Sequence, residues 1–447
     1  MKAETRINFA ALATVPFVMV LSNSMLIPVL PALQKALHRS LLQVGLLITV
    51  FSCAAALVIP VGGYLSDRFG RKTVIVPCLA IFGAGGLLCG LAPLVLPGST
   101  YALLMAGRAI QGVGAGGTYQ VAMALAGDIF RSRERSKVLG MLEASNGLGK
   151  VVSPIIGAAV MVIAWYAPFF VYPLLAWLAA LFVWRAVREP EGTTTRRPLG
   201  SFVRGLGRVL RRTGGSLFAC FLAGGLALFF LFGVLSYYSD FLEQRHGVEG
   251  VARGLIIAIP VAVMALVSYL SGTFLVRRLR QISKLSVVAG LGLVAAAFVI
   301  MFFVHRSVVP FTAAISLMGF GNGVLLPSLN TMITSASGSQ ERGTVTALYG
   351  TVRFLGAAFG PPAFDRAIKV GTVLPYLGSA ALAVAGLVVA ATVIRQQRML
   401  AKLRGGEGPE GGRPEGRDRD AAEERRATDA RRMRLEPGPT RGPNRLT

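Results

Sequence analysis

The sequence predicts an all-α membrane protein in which twelve transmembrane helices form two six-helix halves related by pseudo-symmetry. Three observations support this prediction. Of the 447 residues, 53% are hydrophobic and only 15% are charged, and the charges are clustered rather than scattered. Apolar runs of about 18 residues or more occur roughly twelve times. A pattern in the first half of the chain also returns in the second half.

The apolar runs give the predicted helices in chain order, each long enough to cross a hydrocarbon core of about 30 Å. They lie near residues 7–31, 41–64, 73–94, 101–126, 138–163, 167–184, 216–239, 254–275, 285–304, 309–333, 343–363 and 373–394. The first run follows Lys2 and Arg6 as a secretory signal would. It is longer than a signal and leads into eleven more runs, so we predict that it is retained.

An internal repeat divides the chain into two halves. One constant offset, without a gap, aligns Gly112, Gly114, Gly116, Glu134, Arg135, Gly149 and Pro154 with Gly319, Gly321, Gly323, Glu341, Arg342, Gly356 and Pro361. Both copies of the Glu-Arg loop must face the same side, so an even number of spans separates them. We therefore predict an N-terminal six-helix half at 1–184 and a C-terminal half at 216–394.

The positive charges predict the orientation. Most of the 46 Lys and Arg residues fall in alternate loops and in the C-terminal tail, which places both termini in the cytoplasm by the positive-inside rule. A net charge of +25 would suggest nucleic acid in a soluble chain. Here it indicates anionic lipid headgroups, and no nucleic-acid partner is expected.

Two polar segments flank the second half. The linker 185–215 carries apolar residues at helical spacing with arginines between them, which predicts a short helix lying in the headgroup region; a disordered basic linker is the alternative. The tail 395–447 is rich in Gly, Pro, Arg and Glu and is predicted to be disordered. Four cysteines fall inside predicted spans without paired spacing and are predicted to be small core residues.

The loop between the second and third predicted helices carries the most specific motif. It reads VGGYLSDRFGRK over residues 61–72. This string resembles the signature loop of the major facilitator superfamily of transporters. The residues that carry the resemblance, and that it implies for gating, are Gly63, Leu65, Asp67, Arg68, Gly70, Arg71 and Lys72. A basic loop that merely orients the protein is the alternative, but it would need neither the glycines nor the aspartate.

The resemblance extends over roughly residues 7–394. Arg108, Gln111 and Gly112 match an Arg-x-x-Gln-Gly pattern associated with proton coupling. The stretch GKVVSPIIG at 149–157 resembles an antiporter motif, although Ser153 and Ala158 replace the usual glycines. The pattern looks most like the twelve-helix drug-proton antiporter branch, among its bacterial exporters. Small residues predicted to serve helix packing are Gly112, Gly116, Gly149, Pro154 and Gly157.

Two further motif matches do not indicate cofactors. Residues 112–117 fit G-x-G-x-x-G, but a dinucleotide fingerprint needs a strand before it, and here both flanks belong to one apolar span. Gly149-Lys150 lacks the remaining residues of a phosphate-binding loop. We expect no cofactor, no metal and no enzymatic activity.

Four ionisable residues fall inside predicted spans: Arg108, Glu143, Lys150 and Arg353. Each costs about 2.5–3.5 kcal/mol on insertion scales unless it faces protein or water. Counting about 1.5 Å per residue places Lys150 and Arg353 near the midplane. The alternative is that these charges neutralise each other or their neighbours and only hold the helices together.

These residues and their polar neighbours form the predicted site. Glu143, Lys150 and Arg108 are predicted to couple protons, and Asp240 at the outer end of the seventh span is the next candidate. Residues predicted to bind substrate are Arg353, Asn146, Gln111, Asn23, Asn322 and Tyr237. Aromatic residues of the seventh helix are predicted to form either an apolar wall of the site or ordinary core. Positive side chains outnumber the one carboxylate, so we expect neutral or anionic substrates.

The resemblance implies a secondary active transporter of the plasma (inner) membrane, acting as a monomer on small molecules and protons. Proton-driven efflux by alternating access is the first hypothesis. Uptake of a small organic solute is the second. A multi-span receptor or channel would need neither the repeat nor the signature loop.

Overall fold

The computed structural model describes residues 3–130, 132–190, 199–274, 276–336, 342–397 and 399. These residues form helices and no strand. In chain order the α-helices are α1 Ala3–Ser24, α2 Leu30–Leu37, α3 Leu41–Phe69, α4 Arg71–Val95, α5 Thr100–Gly116, α6 Tyr119–Ile129, α7 Ser132–Met161, α8 Pro168–Ala186, α9 Leu199–His246, α10 Gly250–Phe274, α11 Val276–Val304, α12 Val308–Ala336, α13 Arg342–Val370 and α14 Ser379–Val393.

The described helices make twelve passages, because α1 with α2 and α5 with α6 each form one interrupted passage. This confirms the predicted all-α fold in two halves. Nine passages are long and apolar enough by themselves to qualify as membrane spans within the described residues. Below, the end of the molecule that carries residues 67–72 is called the inner end and the opposite end the outer end, after the predicted orientation.

The predicted continuous first helix is wrong, because α1 ends at Ser24. The amide of Leu26 turns back to the carbonyl of Asn23, which frees the carbonyl oxygen of Ser22 from its usual helical partner. Tyr172 donates its hydroxyl to that oxygen at 3.0 Å, and Arg108 donates at 3.5 Å. A free carbonyl inside a membrane must find such partners, and here other helices supply them.

The fourth predicted helix is also broken, between Gly116 and Tyr119. Thr118 donates from both its amide and its hydroxyl to the carbonyl of Ala115, which ends α5. The turn packs tightly, because a Cβ on Gly117 would lie 2.3 Å from the sulfur of Cys78. This close packing fixes the position of the break and therefore the residue at which α6 begins.

The helix predicted in the linker is present from residue 199, but it is longer than predicted. Residues from 199 onward belong to α9, which runs for 48 residues without interruption into the seventh passage. Helical hydrogen bonding favours continuing a helix already nucleated in the membrane over starting a second one. Residues 191–198 and the predicted disordered tail beyond 399 lie outside the described residues.

Two antiparallel helix pairs join the halves. In the first, Gly45 of α3 lies against Pro361 of α13, and Thr351 donates to the carbonyl of Ala56 at 3.0 Å. In the second, Gly254 of α10 lies against the carbonyl of Pro154 of α7. These pairs enclose the site described next.

Candidate functional site between the two halves

A central cavity lies between the halves and is lined by helices from both. Its empty volume is about 880 Å³, including its open side, which is within the size range of small-molecule sites. Apolar and aromatic side chains form most of the wall. The polar and charged lining residues are Asn23, Ser24, Tyr119, Gln120, Asn146, Lys150 and Arg353. No acidic side chain of the described residues lines it.

Lys150 of α7 and Arg353 of α13 bring one positive charge from each half to this cavity. They are close enough to repel each other. Neither forms an ion pair or a hydrogen bond with a described residue, and the Nε atom of Arg353 is buried without a partner. Within the described residues neither charge is therefore neutralised by an ion pair, although Glu143 attracts Lys150 electrostatically.

Arg108 does not line the cavity but holds a residue that does. Its guanidinium is fully buried and donates to the side-chain oxygens of Asn23 and Ser22, both at 2.7 Å. It also donates to the carbonyl of Leu47 at 3.0 Å. No carboxylate of the described residues meets it, so its geometry is that of a positioning residue for Asn23 and for the break after α1.

Glu143 also lies outside the lining. Its side chain is exposed, and its carboxylate accepts a hydrogen bond from the hydroxyl of Tyr119. Lys150 is close enough to be attracted electrostatically, although the two form no ion pair. The sequence indicated Glu143 and Lys150 through their shared helix face, but nothing local pointed to Tyr119.

Three residues predicted to bind substrate lie away from the cavity. Gln111 is fully buried and accepts from Arg108 at 2.6 Å. Asn322 is also fully buried and donates to the carbonyl of Ala227 at 3.4 Å. Tyr237 packs against the rings of Phe241 and Phe311. Of the predicted six, only Asn23, Asn146 and Arg353 line the cavity. Gln111 and Asn322 are buried inside one half, and Tyr237 is half-buried against rings of its own half.

The signature loop forms a charged cluster at the inner end. Arg71 pairs with Asp67 at 3.0 Å and also with Asp128 at the end of α6. The carboxylate of Glu189 accepts the backbone amides of Arg71 and Lys72 at 2.7 and 3.0 Å, which caps α4. Sequence reasoning missed Asp128 and Glu189, since each is distant in sequence from the loop.

Other loop residues have defined places. Gly70 joins α3 to α4 with a φ of +100°, a value that favours glycine. Lys72 donates to the carbonyl of Val187 at 2.7 Å, and the guanidinium of Arg68 lies 5.4 Å from the centre of the Phe69 ring. A Cβ added to Gly63 would have no atom of the described residues within 4 Å.

The small residues predicted for packing sit where helices approach closely. Added Cβ atoms on Gly112, Gly149 and Gly157 would lie between 2.3 and 2.5 Å from atoms of α3, α1 and the turn after α1. The corresponding distance for Gly116 is 2.6 Å, to Val58 of α3. The carbonyl of Pro154 faces Gly254 of the other half. A larger side chain at these points would push helices apart.

A second charged cluster, at the outer end, was not predicted. Glu243 of α9 is buried and pairs with the buried Arg253 of α10 and with Lys35 of α2, the latter at 2.5 Å. Gln34 of α2 donates to Asp240 of α9 at 2.8 Å. These contacts join the N-terminal half to the C-terminal half. Sequence reasoning had named only Asp240 there.

The described residues contain no group of three or more His, Cys, Asp or Glu side chains that could hold a metal ion. The site is a mostly apolar cavity between two helical halves. It contains two cations that form no ion pair within the described part of the chain, and a charged cluster lies towards each end. The family model described as "Major Facilitator Superfamily" matches residues 12–361. The chain belongs to the major facilitator superfamily. It is therefore a multi-pass membrane transporter of small molecules and not an enzyme.

Relatives within this superfamily include exporters. The chain is 37% identical over 359 residues to the bacillibactin exporter of Bacillus subtilis strain 168, covering 80% of this chain and 89% of that protein. It is 25% identical to multidrug resistance protein 1 of the same organism, with the same coverage. These similarities support efflux as the general direction of transport.

Solved structures share the fold. The human organic anion transporter MFSD10 (TETRAN) superimposes with a TM-score of 0.69 at 20% identity, over 87% of this chain and all of that one. A D-xylose-proton symporter gives a TM-score of 0.70 at 13% identity, over 88% of this chain and 98% of that one. At such identities the likeness concerns the fold alone.

Proposed function

We propose that the protein exports neutral or anionic organic molecules across the cell membrane in exchange for protons, working as a monomer with both termini in the cytoplasm. One observation supports the proposed class of substrate. Lys150 and Arg353 face one mostly apolar cavity from opposite halves, and no acidic side chain of the described residues joins them there. Such a cavity attracts anions and repels cations.

The aromatic wall fits the same class of substrate. Phe51, Phe354 and Phe232 line the cavity together with the ring of Tyr119. Rings bury apolar surface of a ligand, while the two cations hold an anionic group. Of the compounds named for relatives, bacillibactin is the first to test.

Proton exchange is proposed to run through Glu143. It is the one carboxylate predicted inside a span of the first half, and Lys150 lies on the same helix face. Lys150 attracts the carboxylate of Glu143, and movement of the two halves would change that attraction. Proton binding at Glu143 would thereby be coupled to the conformation of the protein, as alternating exchange requires.

Everted membrane vesicles test the proposal. With an imposed proton gradient, we expect accumulation of bacillibactin or of the anionic dye 8-anilinonaphthalene-1-sulfonate, and none of the permanently cationic dye ethidium. Lys150→Met and Arg353→Met should each weaken accumulation of the anion, whereas Arg306→Met, which removes an exposed charge, should not.

The outcomes separate the alternatives. Accumulation in right-side-out rather than everted vesicles would indicate uptake. Accumulation of ethidium that survives in Lys150→Met would contradict the anionic site. Glu143→Gln should lose uphill accumulation but keep downhill exchange, and unchanged uphill transport would move the coupling site elsewhere, with Asp240 the next candidate.

A further inference from the structure

Tyr119 stands between the central cavity and Glu143. It is the first residue of α6, its side chain is 8% exposed, and its ring lines the cavity. Its hydroxyl donates to the carboxylate of Glu143 on α7. Glu143 is exposed and does not line the cavity, so the tyrosine connects the two.

The break between α5 and α6 holds this tyrosine in place. Thr118 is fully buried and closes the end of α5 with two hydrogen bonds to Ala115. Gly117 packs against Cys78 of α4, and a Cβ on Gly62 of α3 would lie 2.9 Å from the Cα of Gly117. Three helices therefore fix the position from which the Tyr119 side chain reaches α7.

Charged groups of both halves surround the Tyr119–Glu143 pair. Lys150 of α7 interacts electrostatically with Glu143, and Arg353 of α13 interacts electrostatically with Tyr119. Tyr349 of α13 is also within electrostatic range of Tyr119, and its own hydroxyl has no partner among the described residues. Because α13 belongs to the other half, the field at the pair changes when the halves move.

The neighbouring residue links the pair to that motion. A Cβ on Gly350 of α13 would lie 3.0 Å from the side-chain nitrogen of Gln120. The start of α6 therefore touches the opposite half. Rocking of the halves alters the surroundings of Tyr119 directly, without any change inside the N-terminal half.

We propose that the Tyr119 hydroxyl relays protons between the cavity and Glu143, an inference that rests on the proposed proton exchange at Glu143. The Tyr119 oxygen accepts a proton from a hydronium ion in the cavity, which leaves water, while its own hydrogen passes to a carboxylate oxygen of Glu143. Two O–H bonds break, on hydronium and on Tyr119, and two form, on Tyr119 and on Glu143, so the tyrosine is unchanged after each transfer. Release to the other side of the membrane runs through Glu143 itself.

The closing experiment compares Tyr119→Phe with Glu143→Gln and with Tyr349→Phe. The Tyr349 change removes a hydroxyl of the same type within electrostatic range of Tyr119, but one without a partner among the described residues. In everted vesicles with bacillibactin, Tyr119→Phe should reduce proton-driven accumulation on the order of 10²-fold while downhill exchange persists. Tyr349→Phe should behave as wild type.

Infrared difference spectra of purified protein give a readout that needs no substrate. The carboxyl stretch of protonated Glu143, isolated by subtracting Glu143→Gln, should move to higher frequency in Tyr119→Phe because one hydrogen bond is lost. An unmoved band together with driven transport within about twofold of wild type would overturn the relay. If the Glu143→Gln protein still accumulates substrate under a proton gradient, then proton exchange at Glu143 is contradicted, and the relay through Tyr119 is contradicted with it.

Tyr119→His is a second test variant, needed if Tyr119→Phe does not fold. A histidine keeps a ring and a nitrogen that carries protons. If Tyr119→Phe fails to insert, a correctly inserted Tyr119→His should retain driven transport with a changed pH profile. A Tyr119→His protein that exchanges substrate downhill yet cannot be driven by protons would contradict the relay.

Discussion

The outer and inner ends of the interface between the halves are built from different groups. At the outer end, Glu243 pairs with Lys35 across the interface and with Arg253 beside it. At the inner end, an added Cβ on Gly63, Gly140, Gly272 or Gly343 would meet no atom of the described residues within 4 Å. The outer end is therefore joined by charges, while the inner end leaves small residues without contacts.

The register of the helix pairs shows which of these glycines lie opposite each other at the inner end. Gly45 faces Pro361 and Gly147 faces Ala265, and continuing each antiparallel pair inward brings Gly63 opposite Gly343 and Gly140 opposite Gly272. Glycines allow the closest approach of two helices. We infer that these surfaces meet when the inner end closes, and that the outer charges must then separate.

The largest expected effect comes from Glu243→Gln. This change leaves Arg253, which is 1% exposed, without its carboxylate, and breaking a buried pair in this way costs about 3–5 kcal/mol. The outer end should open. A cysteine at Ile27, which lines the cavity, should then react with a membrane-impermeant maleimide from outside in a background lacking the four native cysteines.

The control is Glu249→Gln, because both members of the Lys35–Glu249 pair are largely exposed. It should leave labelling unchanged. Glu243→Gln combined with Arg253→Met removes the unpaired buried charge but not the loss of the contact with Lys35, so labelling should fall below that of the single variant and stay above that of wild type. Full protection of the cysteine in either variant would count against the charged outer contact.

The next largest effect is expected from Gly140→Leu. The added side chain should prevent α7 from meeting α10 at the inner end, so that transport falls at least about tenfold, the equivalent of about 1.4 kcal/mol, while substrate still binds from inside. Vesicle transport and equilibrium binding to purified protein measure the two. Gly214→Leu, at another glycine with free space, is the matched control, and equal loss in both variants would contradict the inner contact.

Asp67→Asn tests the signature loop. The Asp67 side chain is 44% exposed, and an exposed pair contributes only about 0–1 kcal/mol to stability, so the melting temperature should hardly change. Transport should nevertheless fall if this carboxylate binds the positive N-terminal end of α13 when the inner end closes. Normal transport by correctly inserted protein would exclude that role.

The smallest effect is expected from Lys35→Met. Lys35 is 60% exposed in its pair with Glu243, so its loss should shift the closed state by about 0.2–1 kcal/mol. That predicts roughly a one- to fivefold rise in labelling of the Ile27 cysteine. The rise should shrink at high salt, because exposed charges are screened, and a rise larger than that of Glu243→Gln would reverse the proposed ranking.

Much of the fold could be predicted from the sequence because the membrane imposes local rules. Long apolar runs must be helices in lipid, and a charge such as Lys150 or Arg353 stands out within them because lipid penalises it. Counting residues predicted that both lie near the midplane, and both line the cavity. Asn23 and Asn146 were also predicted as site residues, and both line the cavity.

The missed features all depend on residues far apart in the chain. The break after α1 requires Arg108 and Tyr172 to donate hydrogen bonds to the carbonyl of Ser22. No local sequence pattern indicates which residues will donate to it. Tyr119 was not predicted for the same reason. Gln111, Asn322 and Tyr237 were predicted at the site because they are polar within spans, but Gln111 and Asn322 are buried inside one half and Tyr237 packs against aromatic rings of its own half.

The sequence by itself determined the helical membrane fold, the two repeated halves and the superfamily, because hydrophobicity, charge and short motifs act over a few residues. Only the tertiary structure decided which charges lie unpaired in the cavity, which carboxylates hold Arg71, and that Lys35 meets Glu243. These facts depend on how helices pack, and packing brings together residues whose separation in the chain carries no signal of their contact.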